Sequence, residues 1–167
     1  MSEEERRDDS AVTMSNPMRK FTFFGSYDHS IDAKGRIIIP TAYREALGES
    51  FTVTVDSDDT AIAIYTDAGF MDMMGELYAL NRRKMAVKKQ LDHISKYSFP
   101  GLQADNQGRV VLPQKLRQYI LGDARDVEIS GALDHIRIVD RKVGEDEDAF
   151  YKEHREEILT QIEEMDD

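Results

Sequence analysis

Residues 32–40 read DAKGRIIIP, and residues 105–113 read DNQGRVVLP. Each matched position lies 73 residues after its partner, and the acid, the glycine, the arginine and the proline are identical. The similarity continues beyond each proline, where Tyr43-Arg44 corresponds to Leu116-Arg117. One such motif would be a weak signal. Two motifs in the same context indicate a duplicated unit, and therefore a two-repeat architecture.

Each motif predicts a tight turn that leads into a strand. Glycine accepts a positive φ angle, and an aspartate side chain accepts hydrogen bonds from the backbone amides that follow it. The aliphatic triplets 37–39 and 110–112 are typical of a buried strand. The proline after each triplet ends the strand and fits the first turn of a short helix, which should stop at Gly48 or Gly122. The residues of this turn-forming motif are Asp32, Gly35, Pro40, Asp105, Gly108 and Pro113.

The sequence after each short helix predicts a hairpin and then a longer helix. Residues 51–55 alternate between apolar side chains and threonine, which is the period of a half-buried strand. Residues 61–65 pair back across a turn, and residues 127–138 repeat this hairpin with a turn at Gly131-Ala132. An amphipathic helix follows each hairpin, and Asp67 is the candidate cap of the first.

The two halves should fold together. A half of about 55 residues has little interior and presents open sheet edges, so it is marginal alone. We therefore predict an α+β fold in which two tandem repeats exchange strands to form one β-rich barrel with internal pseudo-twofold symmetry. Helices lie at the periphery of this barrel.

Composition divides the chain into five segments. We predict an acidic, disordered extension at 1–20, a first repeat at 21–66, a helical connector at 67–97, a second repeat at 98–142 and an acidic helix at 143–167. The last helix has one apolar stripe flanked by glutamates. That stripe either folds onto its own barrel or docks on a neighbouring subunit.

The net charge of -11 is unevenly distributed. Residues 1–10 contribute -3 and residues 145–167 contribute -9, which leaves +1 for residues 11–144. Residues 82–96 carry six bases and one acid, which we interpret as a solvated helix face. The acidic total therefore does not exclude a nucleic-acid partner, because the acid lies at the two ends of the chain.

Several classes of function are disfavoured. The chain has no cysteine, no apolar run that could span a membrane and no secretory signal, so a cytoplasmic location is expected. The four histidines lack metal-ligand spacing, and no nucleophile elbow or phosphate-binding loop occurs. Adjacent Asp134 and His135 should point in different directions on a strand. We expect no catalytic residue, no metal site and no cofactor.

Arg36 and Arg109 are the candidate ligand-binding residues. The planar guanidinium matches the acceptors of guanine or of a phosphate, and a β-rich element can enter the major groove of DNA. Lys34 adds a phosphate-seeking charge to the first turn, where the second turn has Gln107. The alternative is that each arginine pairs with the aspartate four residues before it and braces the turn, for roughly 1 kcal/mol at most. Both roles coexist if the aspartate orients the arginine.

Residues 24–40 resemble the opening of MraZ proteins, and residues 105–113 resemble their second signature. With the hairpins, the resemblance covers about residues 21–142. It implies an AbrB-like swapped-hairpin barrel of the double-psi type. It also implies a cytoplasmic, nucleoid-associated transcriptional regulator that binds double-stranded DNA at promoter repeats of the division and cell-wall gene cluster and assembles into homo-oligomeric rings. The implied DNA-binding residues are Lys34, Arg36, Gln107 and Arg109.

A second hypothesis assigns the chain to protein interaction. AbrB-type barrels also occur in antitoxins, in which an acidic tail wraps a basic partner. The acidic segment from residue 145 favours such an antitoxin-like or scaffold module. DNA retention at low salt would distinguish the two hypotheses.

Overall fold

The structure is a computed structural model that describes residues 21–81 and 83–166, so the predicted extension at 1–20 lies outside the described residues. The strands are β1 (Ser26–Ser30), β2 (Arg36–Ile38), β3 (Phe51–Val55), β4 (Ile62–Thr66), β5 (Phe99–Leu102), β6 (Arg109–Val111), β7 (Asp126–Gly131) and β8 (Ile136–Asp140). The helices are α1 (Thr41–Leu47), α2 (Asp67–Ala79), α3 (Met85–Lys96), α4 (Gln114–Leu121) and α5 (Arg141–Met165). No helix in these ranges is long and apolar enough to cross a membrane.

The strands of the two sequence copies are interleaved. Six of them form one antiparallel sheet in the order β1-β7-β8-β4-β3-β5, and β2 pairs with β6 in a separate two-stranded ribbon. β1 of the first copy pairs with β7 of the second, and β5 of the second copy pairs with β3 of the first. The α+β class is therefore confirmed, and the segments before the two motifs are the strands that change sides.

Two pairings reveal an internal twofold axis. In the ribbon, Arg36 lies opposite Val111 and Ile38 lies opposite Arg109. Interchanging the two sequence copies converts one of these pairs into the other, because both matched positions are offset by 73 residues. β4 and β8 at the centre of the sheet show the same exchange with an offset of 74, because the second copy has one extra residue before this point. The pseudo-twofold axis consequently passes through the middle of the ribbon and the middle of the sheet.

The prediction that each aliphatic triplet forms a buried strand was wrong for one residue of each triplet. Ile37 and Val110 are buried, but Ile38 is 43% exposed and Val111 is 57% exposed. Successive side chains of a strand point to opposite faces, and only one face of this ribbon is covered by the core. A run of three aliphatic residues hides that alternation in the sequence.

The strand β3 is more buried than predicted. It was predicted to be half-buried, yet all five of its residues are buried. The hydroxyl of Thr52 donates to the carboxylate of Asp67 at 2.7 Å, and the hydroxyls of Thr54 and Ser98 lie 2.7 Å apart. The threonine face of β3 is therefore buried as well, because the threonine hydroxyls form hydrogen bonds inside the protein.

The helix ends agree with the predicted stops and differ at one start. Gly48 and Gly122 terminate α1 and α4 with φ angles of 84° and 58°. The cap of α2 is Thr66, whose hydroxyl accepts a hydrogen bond from the amide of Gly69 at 2.9 Å. The prediction of Asp67 as the cap was wrong, because its carboxylate is already engaged by the hydroxyls of Ser50 and Thr52.

The longer helices also differ from the prediction. One helix was expected after the first hairpin, but the connector forms two, with α2 ending at Ala79 and α3 beginning at Met85. The acidic C-terminal helix α5 begins at Arg141, and its first turns pack on β7 and β8. A Cβ atom at Gly144 would lie 2.8 Å from the carboxylate of Glu128, so a glycine permits this close approach.

A short loop corrects the expectation for Asp134 and His135. The two residues lie in the bend between β7 and β8, and their side chains are hydrogen-bonded, with Oδ1 and Nδ1 separated by 2.7 Å. The expected divergence of neighbouring side chains applies to a strand. The turn predicted at Gly131-Ala132 begins at Ala132, whose amide donates to the carbonyl of His135 at 2.8 Å, because Gly131 is the last residue of β7.

Candidate nucleic-acid interface

The two motifs fold into turns with the same hydrogen bonds. The Oδ1 atom of Asp32 accepts from the backbone amides of Lys34 and Arg36, both at 2.9 Å. The Oδ1 atom of Asp105 accepts from the amides of Gln107 and Arg109, also at 2.9 Å. Both turns require a positive φ, which Gly35 and Gly108 supply at 76° and 79°. The hydrogen bonds that define each turn therefore come from residues within the motif itself.

Each turn aspartate also holds its arginine. The Nε atom of Arg36 lies 2.7 Å from Oδ2 of Asp32, and the Nε atom of Arg109 lies 2.7 Å from Oδ2 of Asp105. The side chains of the two arginines are 24% and 31% exposed, so both are partly buried. Bracing of the turn is thus observed. Because the bond to the aspartate uses only Nε, it leaves both Nη groups of each guanidinium for a ligand.

The aspartates titrate below their ordinary range. The backbone amide of Arg36 donates to Asp32 and lowers the pKa of its carboxyl, with the Arg36 guanidinium adding to the effect. The amide and guanidinium of Arg109 lower the pKa of Asp105 in the same way. Both carboxylates therefore stay ionised in the folded protein at pH values at which they would be protonated in the unfolded chain.

We expect the charge of these two aspartates to stabilise the protein at neutral pH but not in acid. A folded pKa below the unfolded value gives stability that is fully present above the unfolded pKa and is lost as the pH falls through the folded pKa. The Asp32→Asn/Asp105→Asn variant, which keeps the Oδ1 acceptors, should therefore have a lower free energy of unfolding than wild type at pH 7. This difference should shrink as the pH falls below the ordinary range of aspartate.

Urea unfolding at several pH values measures this difference. Asn at the exposed position Asp123, outside both turns, is the matched control and should change the free energy of unfolding little. A difference between wild type and the double variant that stays constant from neutral to acidic pH would contradict the expectation.

The ribbon brings the two arginines to one face. Arg36 and Ile38 lie two residues apart on β2, as do Arg109 and Val111 on β6, so all four side chains share the face opposite the buried Ile37 and Val110. Arg36 and Arg109 are diagonal neighbours, whose Cα atoms in such a ribbon lie about 7–8 Å apart. Two guanidinium groups and two exposed aliphatic side chains therefore form a continuous outward surface.

Two further arginines cross from one copy to the turn of the other. Arg44 of α1 donates through Nε to the carbonyl of Ile39 at 2.9 Å and through Nη2 to the carbonyl of Gln107 at 3.5 Å. Arg117 of α4 lies against the first turn, where its Cζ atom is 3.1 Å from the place of a Cβ on Gly35. Sequence reasoning did not assign these residues to the site. The sequence did contain a signal for them: Arg44 and Arg117 are identical residues separated by the same 73 positions as the two motifs.

The surroundings of the turns are positively charged. Arg125 donates from Nη1 to the carbonyl of Asp32 at 3.3 Å. The cationic side chains on or against the two turns are Lys34, Arg36, Arg44, Arg109, Arg117 and Arg125. Three of these cations, Arg44, Arg117 and Arg125, come from outside the motifs, and the two turn aspartates pair with Arg36 and Arg109. Cationic side chains therefore gather at the turns although the whole chain is acidic.

Comparisons with known proteins identify relatives of this chain. A family model described as "MraZ protein, putative antitoxin-like" matches residues 22–92. The chain is 36% identical over 122 residues to a protein named "Transcriptional regulator MraZ" from Acetivibrio thermocellus, a match that covers 71% of this chain and 81% of the relative. Proteins of the same name from Lachnoclostridium phytofermentans and Finegoldia magna are 37% and 32% identical over 116 and 123 residues. These matches cover 70% and 72% of this chain, and 79% and 82% of the relatives. These names describe regulators and no enzyme, as predicted.

Proposed function

The chain belongs to the MraZ family, and from this premise we propose that it is a DNA-binding transcriptional regulator that reads promoter repeats with the β2–β6 ribbon. The observation that carries the proposal is the presence of Arg36 and Arg109 on one outward face of that ribbon. The proposed target is the promoter of the division and cell-wall gene cluster, as the sequence resemblance implies. The protein acts in the cytoplasm at the nucleoid.

The dimensions of the ribbon suit the major groove. That groove is about 12 Å wide and admits a two-stranded β-ribbon. The separation of about 7–8 Å between the two diagonal arginines corresponds to roughly two base-pair steps at 3.4 Å each. Arg36 and Arg109 can therefore address neighbouring guanines on either side of the pseudo-twofold axis, each with the two Nη groups that its aspartate leaves uncommitted.

The residues around the arginines take complementary roles. Ile38 and Val111 offer exposed aliphatic groups that can contact thymine methyl groups. Lys34 and Gln107 occupy equivalent positions in the two turns, where a cation and an amide serve phosphate oxygens. The difference between them makes the two halves of the site unequal, so the preferred DNA element is not a perfect palindrome.

The acidic ends of the chain do not prevent binding. At physiological salt the Debye length is about 8 Å, so charges beyond the ribbon are largely screened from the DNA that lies on it. The arginines and the lysine at the turns act at short range. Each subunit contributes a modest affinity, and a homo-oligomeric ring that engages several repeats at once raises the total through effective concentration.

The test is a binding titration against the DNA upstream of the protein's own gene at two salt concentrations. If about four phosphates are neutralised, affinity should fall by roughly a hundredfold between 50 and 200 mM salt, because neutralising each phosphate releases counterions. Shuffled DNA of the same length is the control for sequence selectivity. Affinity that does not change with salt, or equal affinity for both DNAs, would reject the proposal.

The second candidate function is an antitoxin-like or scaffold role for the acidic C-terminal helix. The observation that favours it is that α5 exposes large apolar side chains beside its glutamates, including Phe150 and Tyr151. Capture of a basic protein that requires residues 145–167, with no DNA retained at low salt, would support this candidate against the first.

A further inference from the structure

The two outermost strands of the six-stranded sheet, β1 and β5, differ in how their open edges are protected. β5 contains Pro100 and a positive-φ glycine, Gly101, and its register with β3 shifts between Phe51 and Val53. Proline and irregular register are features that keep an edge strand from pairing with another chain. β1 has neither, and its five residues pair with β7 in unbroken register. β1 is therefore the unprotected edge of this sheet.

The free backbone groups of β1 follow from its hydrogen bonds with β7. The amide of Gly131 donates to the carbonyl of Gly25, and the amide of Ile31 donates to the carbonyl of Arg125, both at 2.8 Å. The alternation of an antiparallel ladder then directs the odd-numbered residues of β1 toward β7 and the even-numbered residues away from it. The outward residues are Ser26, Asp28 and Ser30. In the part of the chain that the structure describes, no hydrogen bond reaches their backbone amides or carbonyls.

Carboxylates crowd the face of this edge that carries the even-numbered side chains of β1. Asp28 lies directly opposite Glu128 in a pair without backbone hydrogen bonds, the arrangement in which facing side chains are closest. Burial raises the pKa of the Glu128 carboxyl, and the negative charges of Asp148 and Asp28 raise it further. The cation that pairs with Asp28 is Arg141, whose Nε atom lies 3.7 Å from Oδ1, too far for a hydrogen bond. The side chain of Asp28 is 65% exposed, so a further cation has access to it.

The other face of the edge carries an aromatic side chain. Tyr27 is 38% exposed, and its ring packs against the ring of Tyr43 with 5.6 Å between their centroids. The side chains of an added strand would alternate between these two faces. Opposite Asp28 the favourable partner is a base, and opposite Tyr27 it is a β-branched or aromatic residue. The edge therefore fits an extended segment in which basic and apolar residues alternate.

We propose that β1 binds a basic, extended segment of another protein as an additional antiparallel strand. The outward backbone groups supply the hydrogen bonds, and a lysine or arginine opposite Asp28 supplies the ion pair. A second copy of this chain is a poor occupant, because antiparallel pairing of two β1 strands centred on Asp28 brings two carboxylates together. The inference goes beyond DNA binding and does not depend on it, since the β2–β6 ribbon is a different surface.

A labelled peptide that alternates lysine and valine over the length of β1 is the probe, and fluorescence anisotropy with the full chain measures its binding. In the proposed pairing a lysine lies opposite Asp28, and its amide points toward β1. N-methylation of the lysine amides should therefore abolish binding, whereas N-methylation of the valine amides should preserve it. The two methylated peptides have the same composition and charge, so general attraction to an acidic protein predicts no difference between them.

Two substitutions at Asp28 separate the charge from the backbone. Asp28→Asn keeps the amide and should weaken binding of the probe about two- to fivefold, as expected for an exposed ion pair. Asp28→Pro also removes the amide and should weaken binding by a further two- to tenfold, roughly the value of one hydrogen bond. Proline is tolerated where the amide faces outward from an edge, so this variant should keep the circular dichroism spectrum of the wild type. Asp123→Asn is the matched control and should bind as wild type does.

Several results would overturn the inference. They are failure of the wild type to bind the unmodified probe, equal binding of the two methylated peptides, and equal binding by the Asn and Pro variants. If Asp28→Pro lowers the mass of the protein in light scattering, a second copy occupies the edge and the inference also falls. The methylated peptides decide the question even if the proline variant does not fold.

Discussion

Replacing Arg36 and Arg109 with alanine is expected to abolish selective binding to promoter DNA while the protein keeps its fold. Loss of one arginine contact to a base costs about 1–3 kcal/mol, so the double variant should lose about 2–6 kcal/mol per subunit. Each 1.4 kcal/mol is a tenfold change in affinity, so this loss corresponds to roughly 30-fold to 10⁴-fold weaker binding. The structural cost is small, because a partly exposed ion pair with aspartate contributes about 1 kcal/mol at most.

Two controls sharpen this measurement. The Arg36→Lys/Arg109→Lys variant keeps both charges but removes the planar fork, so it should bind all DNA sequences with similar affinity. The Lys96→Ala/Lys152→Ala variant removes the same number of charges outside the ribbon and should behave as wild type. A gel-shift titration in which the double alanine variant matches wild type would refute the role of the ribbon.

Replacing Gly131 with alanine is expected to cause the largest loss of stability. A Cβ atom there would lie 2.2 Å from the amide nitrogen of Phe24 and 2.3 Å from the carbonyl carbon of Phe23. These atoms belong to the backbone and cannot rotate away. The segment is also fixed in place, because the amide of Gly131 donates to the carbonyl of Gly25 at 2.8 Å and Phe23 is buried. We expect a loss of about 3 kcal/mol or more, above the usual cost of an overpacked core.

The same substitution at Gly75 provides the matched control. Gly75 lies in α2, and a Cβ atom there would meet nothing within 4 Å. Alanine should raise the free energy of unfolding by up to about 1 kcal/mol, since glycine is a poor helix former. Urea unfolding of both variants measures the two effects. A Gly131→Ala protein with the stability of wild type would show that the first segment does not need its close contact with β7.

The turns could be predicted from the sequence because their determinants are adjacent residues. Asp32, Gly35 and Arg36 lie within five positions, and the aspartate satisfies amides two and four residues later. The repeat of this spacing in the second copy indicated the duplication and the strand exchange. The choice between bracing and ligand contact was not decided by spacing, because the same arginine can do the first with Nε while keeping both Nη groups for the second.

Burial could not be predicted with the same success. Ile38 was expected inside and is exposed, and Thr54 was expected on an open face and is buried. The residue types were similar to those of correctly predicted neighbours. What differed was the cover on each face, which comes from segments distant in the chain: Thr54 meets Ser98, 44 residues later. Period and propensity contain no information about such partners.

The sequence by itself determined that this protein has two equivalent turns, each with a positive-φ glycine and an aspartate–arginine pair, followed by a short helix that stops at glycine. Those features depend on backbone sterics and hydrogen bonds within a few residues. Only the tertiary structure decided that β2 and β6 lie side by side, that both guanidinium groups share one open face, and that Arg44 and Arg117 reach across to the opposite turns. Strand pairing and burial depend on contacts between residues that are far apart in the chain. A face of a strand is exposed only when no such distant residue packs on it.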